Sequence, residues 1–365
     1  MKRILFITAF PPNNQTAGQN YTRLLLNDIS ADNRVDVIYF KYRTHAIDID
    51  KSLVIEEVDL SLPLKIAAIL MFPFIFPLFV KRFKLRLLFY IRKIKNNYDI
   101  LYFDFSQVCI YSLFIKHHCK MLMIHDVMYQ KYGREKRFKI FLPFIKFSER
   151  LILNSGTEVL CFSEKDKKLL RELYQCDSTQ VSFYLDDALR SIDIEKLDIE
   201  NYFSFYGAWN RPENMNGLIW FLKNVYIYLP LSVNFKIIGG GMSDDIKKEI
   251  SSYPNIEYLG FIDNPYPIIC QSQALIAPLF SGAGVKVKVI EALATGTPVI
   301  GTSIAMEGLE FLKEYSVMYD AETADDYISI LSNWSKITHS EKTRIRNLFL
   351  ANYCDSSIAR QLRSC

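Results

Sequence analysis

"GAGVKVKVIEALATGTPVIGT", residues 282–302, is the stretch that decides the fold. Its first two glycines, Gly282 and Gly284, allow a tight backbone turn before a helix that the apolar spacing predicts near 285–295. Gly296 ends that helix, and a short apolar strand follows. A turn, a helix and a buried strand in this order are typical of a parallel α/β sheet.

The start of this helix also carries a charge pattern. The unpaired N–H groups and the macrodipole of a helix start attract anions, and Lys286 and Lys288 add positive charge there. Glu291 follows about one turn later, where it can accept hydrogen bonds from a diol beside the anion. The pattern indicates a phosphate joined to a ribose; an ordinary helix start with solvated lysines is the alternative.

Elsewhere, short apolar runs alternate with longer segments of helical period. Runs this apolar indicate strands of a parallel sheet that is covered on both faces. We predict strands at 3–9, 35–40, 53–58, 100–103, 121–124, 158–162, 203–206, 234–238, 256–259, 274–277 and 298–301.

The length of 365 residues favours two domains. The strand pattern restarts after the polar stretch 186–201, which we interpret as a linker. We therefore predict an N-terminal domain at 1–190 and a C-terminal domain at 191–350, with the tail at 350–365 packing back on the first. Ligands of such sheets bind beyond the carboxyl ends of the strands, so a cleft between the domains is the expected site.

Charge and cysteine content narrow the class of protein. Residues 1–195 carry 29 Lys and Arg against 22 Asp and Glu, whereas residues 196–365 carry 15 against 18, so the first half is the one expected to meet an anionic partner. Seven cysteines without a CxxC spacing indicate neither a disulfide framework nor a zinc site, which favours a reducing compartment. The start "MKRILFITAFPPNN" predicts a strand and a turn rather than a signal peptide.

Four segments of the second half carry a family resemblance: 282–302, "FYGAWNRPENMNGLIWFL", "FKIIGGG" and "IEYLGFI". In order and spacing they resemble the nucleotide-sugar half of glycosyltransferase family 4. The first half is more weakly similar, through "ITAFPPNNQTAGQNYTRLLLNDI" and "MIHD". The resemblance implies the GT-B fold, which has two Rossmann-like, doubly wound parallel-sheet domains facing across a cleft.

The resemblance also implies roles for residues of the opening stretch. Glu291 would bind the ribose hydroxyls, and Lys286 with the N–H groups of Gly284 and Val285 would hold the donor diphosphate. Arg211 matches the segment where the family places a basic residue on that diphosphate, and a planar guanidinium suits this contact. An exposed loop charge is the alternative for Arg211. No lysine follows soon after it, so Lys286 or Lys288 would carry more of this task.

Further residues of the second half match the nucleotide side of the family's site. Gly239 follows the strand "FKII" and would let the backbone approach the nucleotide, although an ordinary strand-end turn explains it as well. Phe261 stands where the family lines the base, with a place in the core as the alternative. Ala283 replaces a glutamate that touches the donor sugar in most members, as in a Gly-rich subgroup of the family.

The resemblance also suggests site roles for four residues of the first half. The resemblance places Gly18, in the loop after the first strand, near the donor; an ordinary glycine near a helix start is the alternative. His125 and Asp126 end a strand, and the family often has a histidine there near the donor sugar; a structural histidine is the alternative. Asp104 ends another strand and is a weaker candidate for the same cleft wall.

The chemistry follows from a leaving nucleoside diphosphate, which needs fixed positive groups more than an acid. We expect His125, Arg211 and Lys286 to take part in it, with retention of anomeric configuration, as in family 4. The sequence has no metal-ligand cluster, and no metal or other cofactor is expected besides the nucleotide-sugar substrate.

The segment 66–95 is not explained by a nucleotide-sugar site. Residues 66–80 are apolar and uncharged but too short and too broken by proline for a membrane span, and 81–95 follow with seven Lys or Arg and no acid. Residues 136–147 have a similar composition. Such basic, aromatic surfaces are typical of membrane-interface anchors, and helices that cover the sheet are the alternative. The apolar content argues against nucleic acid.

These features together predict a cytoplasmic, membrane-peripheral, bacterial-type glycosyltransferase. It would transfer a sugar from a nucleotide-diphosphate sugar to a growing glycan on a lipid carrier, in surface polysaccharide synthesis, at the inner face of the cell membrane. The alternatives are a nucleotide-sugar epimerase of the same fold and a non-catalytic nucleotide-sugar-binding partner. The sequence does not name the base, the sugar or the oligomeric state.

Overall fold

The computed structural model describes residues 1–42, 45–353, 358 and 362. The chain divides into two compact units, Met1–Tyr184 with Asp355–Cys365, and Leu185–Cys354. The division falls a few residues before the predicted boundary. In the first unit, Lys2 Nζ donates a hydrogen bond to the carbonyl oxygen of Leu362 at 2.9 Å.

The described part of the first unit contains a seven-stranded sheet in the order β3-β2-β1-β4-β5-β6-β7, and every pair of neighbours is parallel. Because the central strands are covered on both faces, their residues are apolar and buried almost throughout. The strands are β1 (Arg3–Thr8), β2 (Arg34–Phe40), β3 (Val54–Val58), β4 (Ile100–Asp104), β5 (Lys120–Ile124), β6 (Glu158–Cys161) and β7 (Thr179–Gln180).

The described part of the second unit has a six-stranded parallel sheet in the order β10-β9-β8-β11-β12-β13. In both sheets the order reverses beside the first strand of the unit, which is the doubly wound arrangement. The strands are β8 (Tyr202–Tyr206), β9 (Asn234–Ile238), β10 (Ile256–Gly260), β11 (Leu275–Ala277), β12 (Val299–Gly301) and β13 (Met318–Asp320).

Helices connect the strands, and each unit has its own apolar core. The helices of the first unit are α1 (Ala17–Asp32), α2 (Leu62–Met71), α3 (Pro77–Val80), α4 (Leu85–Ile94), α5 (Met128–Gly133), α6 (Leu142–Leu153) and α7 (Glu164–Tyr174). Those of the second unit are α8 (Asp187–Arg190), α9 (Pro212–Asn224), α10 (Asp244–Ile250), α11 (Tyr266–Gln271), α12 (Val287–Ala294), α13 (Ala324–Ser332) and α14 (His339–Asn352).

The eleven predicted strands are all present within one or two residues of their predicted ends, and the predicted α/β fold with two parallel sheets is confirmed. Strands β7 and β13 are not predicted from the sequence, because runs of two and three residues give no periodic signal. The stretch 186–201 is not an unstructured linker. It forms α8, whose start Asp186 caps by accepting from the N–H of Ala188 at 3.0 Å.

Candidate functional site

In the second unit, the loops after β8, β9 and β10 meet at the carboxyl edge of the sheet. Gly239, directly after β9, has a φ of +117°, and a Cβ there would lie 2.0 Å from the carbonyl oxygen of Gly207. A side chain at this position is therefore excluded by the neighbouring backbone. The close approach of the loops explains Gly239 without a ligand, and its predicted contact with the nucleotide stays a prediction.

The loop after β11 leads into α12 through two glycines in left-handed conformations. Gly282 has a φ of +104° and Gly284 a φ of +68°. Lys286 is the cap residue of α12, and its Nζ donates to the carbonyl oxygens of Gly284 at 2.6 Å and Ala283 at 3.2 Å. It also lies 3.5 Å from Glu307 Oε2. Lys286 thus closes its own loop while keeping a positive charge at the helix start.

Lys288, in the first turn of α12, points toward the start of α9. Its Nζ donates to Asn214 Oδ1 at 2.7 Å, and Asn214 Nδ2 donates to the carbonyl oxygen of Ala208 at 2.9 Å. The pKa of Lys288 is lowered to about 7, chiefly by burial; Glu213 and Glu291 oppose this change, and the nearby cations Lys286 and Arg211 add to it. Three cations are therefore gathered at two helix starts.

Glu291 lies on α12 beyond these cations. Tyr266, the first residue of α11, donates its hydroxyl to Glu291 Oε1 at 3.1 Å. Burial raises the pKa of Glu291 to about 8, and Asp186 adds to the rise, whereas Tyr266 and Lys288 act against it. The ionised carboxylate is thus disfavoured until donors reach it.

Arg211 and Phe261 are both exposed at this edge. Arg211 is the cap residue of α9, and among the described residues its guanidinium has no ion-pair partner. Phe261 follows β10 and is 65% exposed, so the alternative of a core phenylalanine is wrong. A Cβ added at Gly240 would lie 3.3 Å from Phe261 Cβ, which places this ring beside the glycines after β9.

The second unit thus brings together the predicted residues Arg211, Gly239, Phe261, Lys286 and Glu291 on one sheet edge. Three residues of this site are not predicted from the sequence: Asn214 accepts from Lys288, Tyr266 donates to Glu291, and Asp186 raises the pKa of Glu291. Nothing in the local pattern marks these three, because their partners lie far away in sequence. The arrangement can bind an anion at the helix starts and a hydroxyl-bearing group at Glu291.

In the first unit, His125 and Gly18 lie together. His125 Nε2 is 2.8 Å from Asp104 Oδ1, and the ring of Phe105 stacks on the imidazole at 3.7 Å. A Cβ at Gly18 would lie 3.7 Å from His125 Nδ1. Asp104 is fully buried, so its predicted place on a cleft wall is wrong: the carboxylate faces the protein interior and contacts His125 instead.

Asp126 points elsewhere. Its Oδ2 accepts from Lys131 Nζ on α5 at 2.6 Å. The carboxylate is therefore already engaged in an ion pair, and a contact of Asp126 with substrate stays a prediction.

The first unit also exposes an apolar face. Of the ten residues of α2, all of them described, Ala68 alone is buried. Phe76 makes ring contacts with Phe138 and Phe141, so the segment after α2 lies against the segment before α6. We call the exposed side chains there the apolar face: Leu62, Leu64, Ile66, Leu70, Met71, Phe74, Ile140 and Phe141.

Cations border this face, although Arg82, which was expected among them, is buried. Lys65, Lys136 and Lys139 are exposed beside its members. Arg82, by contrast, is buried with its guanidinium over the ring of Phe10 at 4.4 Å, so it does not contribute to a basic surface as expected. In the described ranges, no helix has the length and apolarity that crossing a membrane requires.

Comparison with known proteins shows a family match within the second unit. Residues 200–332 match the family model described as glycosyl transferases group 1. An uncharacterized 44.6 kDa protein in the cps region of Klebsiella pneumoniae is 29% identical over 216 residues, which are 52% of this chain and 53% of that protein. The chain therefore matches about half the length of this curated relative.

Solved structures resemble the whole chain. HepE of Anabaena in complex with UDP has a TM-score of 0.70 at 14% identity, over 100% of both chains. A Staphylococcus aureus TarM variant in complex with fondaparinux, α-GlcNAc-glycerol and UDP has a TM-score of 0.71 at 14% identity, over 100% of this chain and 99% of that one. Sucrose-phosphate synthase of Thermosynechococcus elongatus has a TM-score of 0.69 at 16% identity, over 100% and 98%.

The two kinds of comparison agree on the second unit and on the fold. The family match spans the strands and helices that carry Arg211, Lys288 and Glu291. These findings support the prediction of a glycosyltransferase. The chain thus has the GT-B fold, and its residues 200–332 are similar to the group 1 glycosyl transferases.

Proposed function

We propose that this protein is a retaining glycosyltransferase of family 4, in its Gly-rich subgroup, which transfers a sugar from a nucleotide-diphosphate sugar to a growing glycan on a lipid carrier. The observation that carries the proposal is the cluster of Arg211, Lys286 and Lys288 beside Glu291, within the segment that matches the group 1 glycosyl transferases. Three cations gathered at two helix starts suit a diphosphate, and a carboxylate one turn further suits a ribose diol.

In this proposal the second unit acts mainly on the leaving group. Negative charge grows on the diphosphate as its bond to the sugar breaks, and fixed cations stabilise that charge most when water is excluded. Lys288 fits this task because its Nζ is held by Asn214 and its charge is disfavoured without an anion. Glu291 would accept hydrogen bonds from the ribose, and Phe261 would contact the base.

The relatives support a nucleotide-sugar donor and a role in surface polysaccharide synthesis. HepE is described in complex with UDP and with UDP-glucose, and TarM in complex with UDP. The Klebsiella relative is encoded in a cps region, which favours a place in surface polysaccharide synthesis. We propose a nucleoside-diphosphate sugar as donor on these grounds, with no metal ion required.

The test is a panel of purified nucleotide sugars. We expect one of them to raise the melting temperature and to be hydrolysed slowly without acceptor, with retained configuration of the released sugar by NMR. Conversion of the donor into an epimeric nucleotide sugar would instead establish an epimerase. Binding without any turnover, also with lipid-linked acceptors, would indicate a non-catalytic partner protein.

We further propose that the apolar face docks on the anionic inner surface of the cell membrane, where a lipid-linked acceptor lies. Leu70, Phe74 and Ile140 are 73%, 78% and 82% exposed, which would be costly in water unless another surface covers them. The bordering cations favour an anionic lipid surface as that partner.

Flotation with vesicles tests this docking. Binding is expected to increase with the fraction of phosphatidylglycerol and to fall about 100-fold when Lys65, Lys136 and Lys139 are changed to Ser, since each cation near an anionic surface contributes about 1 kcal/mol. Changing Lys167 and Lys168 of α7 to Ser serves as the control, because these lysines lie away from the apolar face. If the triple variant floats as well as the wild type, the docking proposal is wrong.

A further inference from the structure

The buried carboxylate of Asp104 is held from both sides. Its Oδ2 accepts from Thr8 Oγ1 at 3.0 Å and from Thr22 Oγ1 at 2.6 Å, and its Oδ1 lies 2.8 Å from His125 Nε2. Asp104 is 0% exposed, and a buried carboxylate is stable only when hydrogen-bond donors surround it. Two hydroxyls on one oxygen therefore fix the direction in which the other oxygen points.

This geometry decides which nitrogen of His125 carries the hydrogen. An ionised carboxylate is an acceptor only, so the imidazole must donate from Nε2. In the neutral ring the other nitrogen, Nδ1, then has a lone pair and acts as an acceptor. The carboxylate thus sets the hydrogen-bonding character of an atom on the opposite side of the ring.

Aromatic contacts fix the plane of the same ring. Phe105 adopts a left-handed conformation with a φ of +72°, which is strained for a bulky residue, and it stacks on the imidazole with an interplanar angle of 13°. Tyr21 and Phe162 meet the ring edge-on at 5.6 and 5.1 Å. The His125 side chain is 10% exposed, so it has little freedom to turn.

The space beside Nδ1 is left open by a glycine. Gly18 lies in the first turn of α1, and its missing side chain would otherwise stand 3.7 Å from Nδ1 and 3.1 Å from the Phe105 ring. The start of a helix thus adjoins the one nitrogen of His125 that Asp104 does not contact.

We propose that Asp104 is a positioning residue: it holds His125 with the hydrogen on Nε2, so that Nδ1 accepts a hydrogen bond from a hydroxyl group of the sugar substrate. The substrate part rests on the proposed function. The positioning part concerns the protein alone and can be tested without any activity.

Nitrogen NMR of protein with ¹⁵N-labelled histidine tests the positioning at about pH 8, where an ordinary imidazole is neutral. The His125 signals are assigned by their loss in His125→Gln. We expect the wild type to have the hydrogen on Nε2. In Asp104→Asn we expect the hydrogen to move to Nδ1, because an amide oxygen that accepts from Thr8 leaves the amide N–H to donate toward Nε2.

Asp36→Asn is the matched control. Asp36 lies on β2 of the same sheet and accepts from the Tyr98 hydroxyl at 2.7 Å, without contact to a histidine. This variant should leave the His125 signals unchanged. A wild-type hydrogen on Nδ1, or an unchanged His125 in Asp104→Asn, overturns the inference whatever the activity.

With an active donor in hand, turnover gives the second readout. Asp104→Asn is expected to lower kcat about 100-fold with a smaller change in KM, since the nitrogen that should accept would now donate. Wild-type turnover despite a moved hydrogen would overturn the contact between Nδ1 and substrate. Absence of turnover with every donor would refute the proposed function while the NMR result still decides the positioning.

Discussion

The carboxyl edges of the two sheets hold their polar groups in opposite ways. In the first unit, His125 and Asp104 satisfy each other, and two threonines complete the carboxylate's shell. In the second unit, Lys288 and Glu291 have pKa values shifted toward their neutral forms, to about 7 and about 8. The Asp104 carboxylate is fully paired without a ligand, whereas the second edge gains when a ligand restores its charges.

The difference indicates two tasks. A group that is fully paired inside the protein can orient a neighbour but gains little from a ligand, because its interactions are already made. A cation whose charge is disfavoured by burial gains most when an anion arrives, since the ligand then supplies the missing stabilisation. We therefore expect substitutions at the second edge to change ligand binding and those at the first edge to change geometry.

The largest effect should come from the cations of the second unit. Arg211→Ala and Lys288→Met are each expected to lower kcat roughly 100–1,000-fold, because each removes a charge from the leaving diphosphate. Steady-state kinetics with the identified donor measures this, and Lys223→Ala at the far end of α9 is the control. Wild-type turnover in either variant would show that the residue is a surface or structural charge only.

Loss of the Glu291 carboxylate should have the next largest effect, on nucleotide binding. Glu291→Ala is expected to weaken nucleoside diphosphate binding by about 1.5–3 kcal/mol, the range for hydrogen bonds to a charged group, which is roughly 10–150-fold in Kd. Isothermal titration calorimetry measures it. Glu249→Ala on α10 removes an exposed carboxylate of the same unit and should bind normally. Unchanged affinity in folded Glu291→Ala protein would refute the ribose contact.

The two edges also differ in how much of their structure the sequence predicts. Strand runs such as "ILYFD" and the Gly-rich turn at 282–284 are local signals, so the fold and the positions of Lys286 and Glu291 follow from them. The role of Asp104 does not, because burial of a strand-end carboxylate depends on Thr8 and Thr22, which belong to other elements.

The same reason explains the other differences. Asn214 accepts a hydrogen bond from Lys288, which lies 74 positions away in the sequence. Arg82 is buried with its guanidinium packed against the ring of Phe10. A run of basic letters gives the charge of a segment but not which side chains point into the protein. Contacts between distant elements therefore set the electrostatics of both edges.

Opposite pH dependences should distinguish the two shifted groups. In Glu291→Gln, affinity for a nucleoside diphosphate is expected to fall up to about tenfold per unit of pH above 7, because the anion binds the charged form of Lys288 and its pKa is about 7. In Lys288→Met, affinity should rise between pH 8 and 10 as Glu291 loses its proton, because its pKa of about 8 rises further when Lys288, which lowers it, is removed. Titrations across this range measure both slopes; equal slopes in the two variants would contradict the assignment.

The smallest effect concerns Phe261, which extends the second edge beyond its charges. Its ring is 65% exposed beside the glycines after β9, where it has no core to stabilise. Contact of a base with an aromatic ring contributes about 1–3 kcal/mol, and an exposed ring on one face should lie near the lower value, roughly fivefold in Kd. Phe261→Ala should therefore weaken nucleotide binding about fivefold while leaving the melting temperature unchanged. Tyr228→Ala is the control, because Tyr228 is equally exposed but precedes β9 and so lies at the opposite edge of the sheet. Equal affinity of the two variants would show that the base does not contact Phe261, and a lower melting temperature of Phe261→Ala would show that the ring stabilises the fold instead.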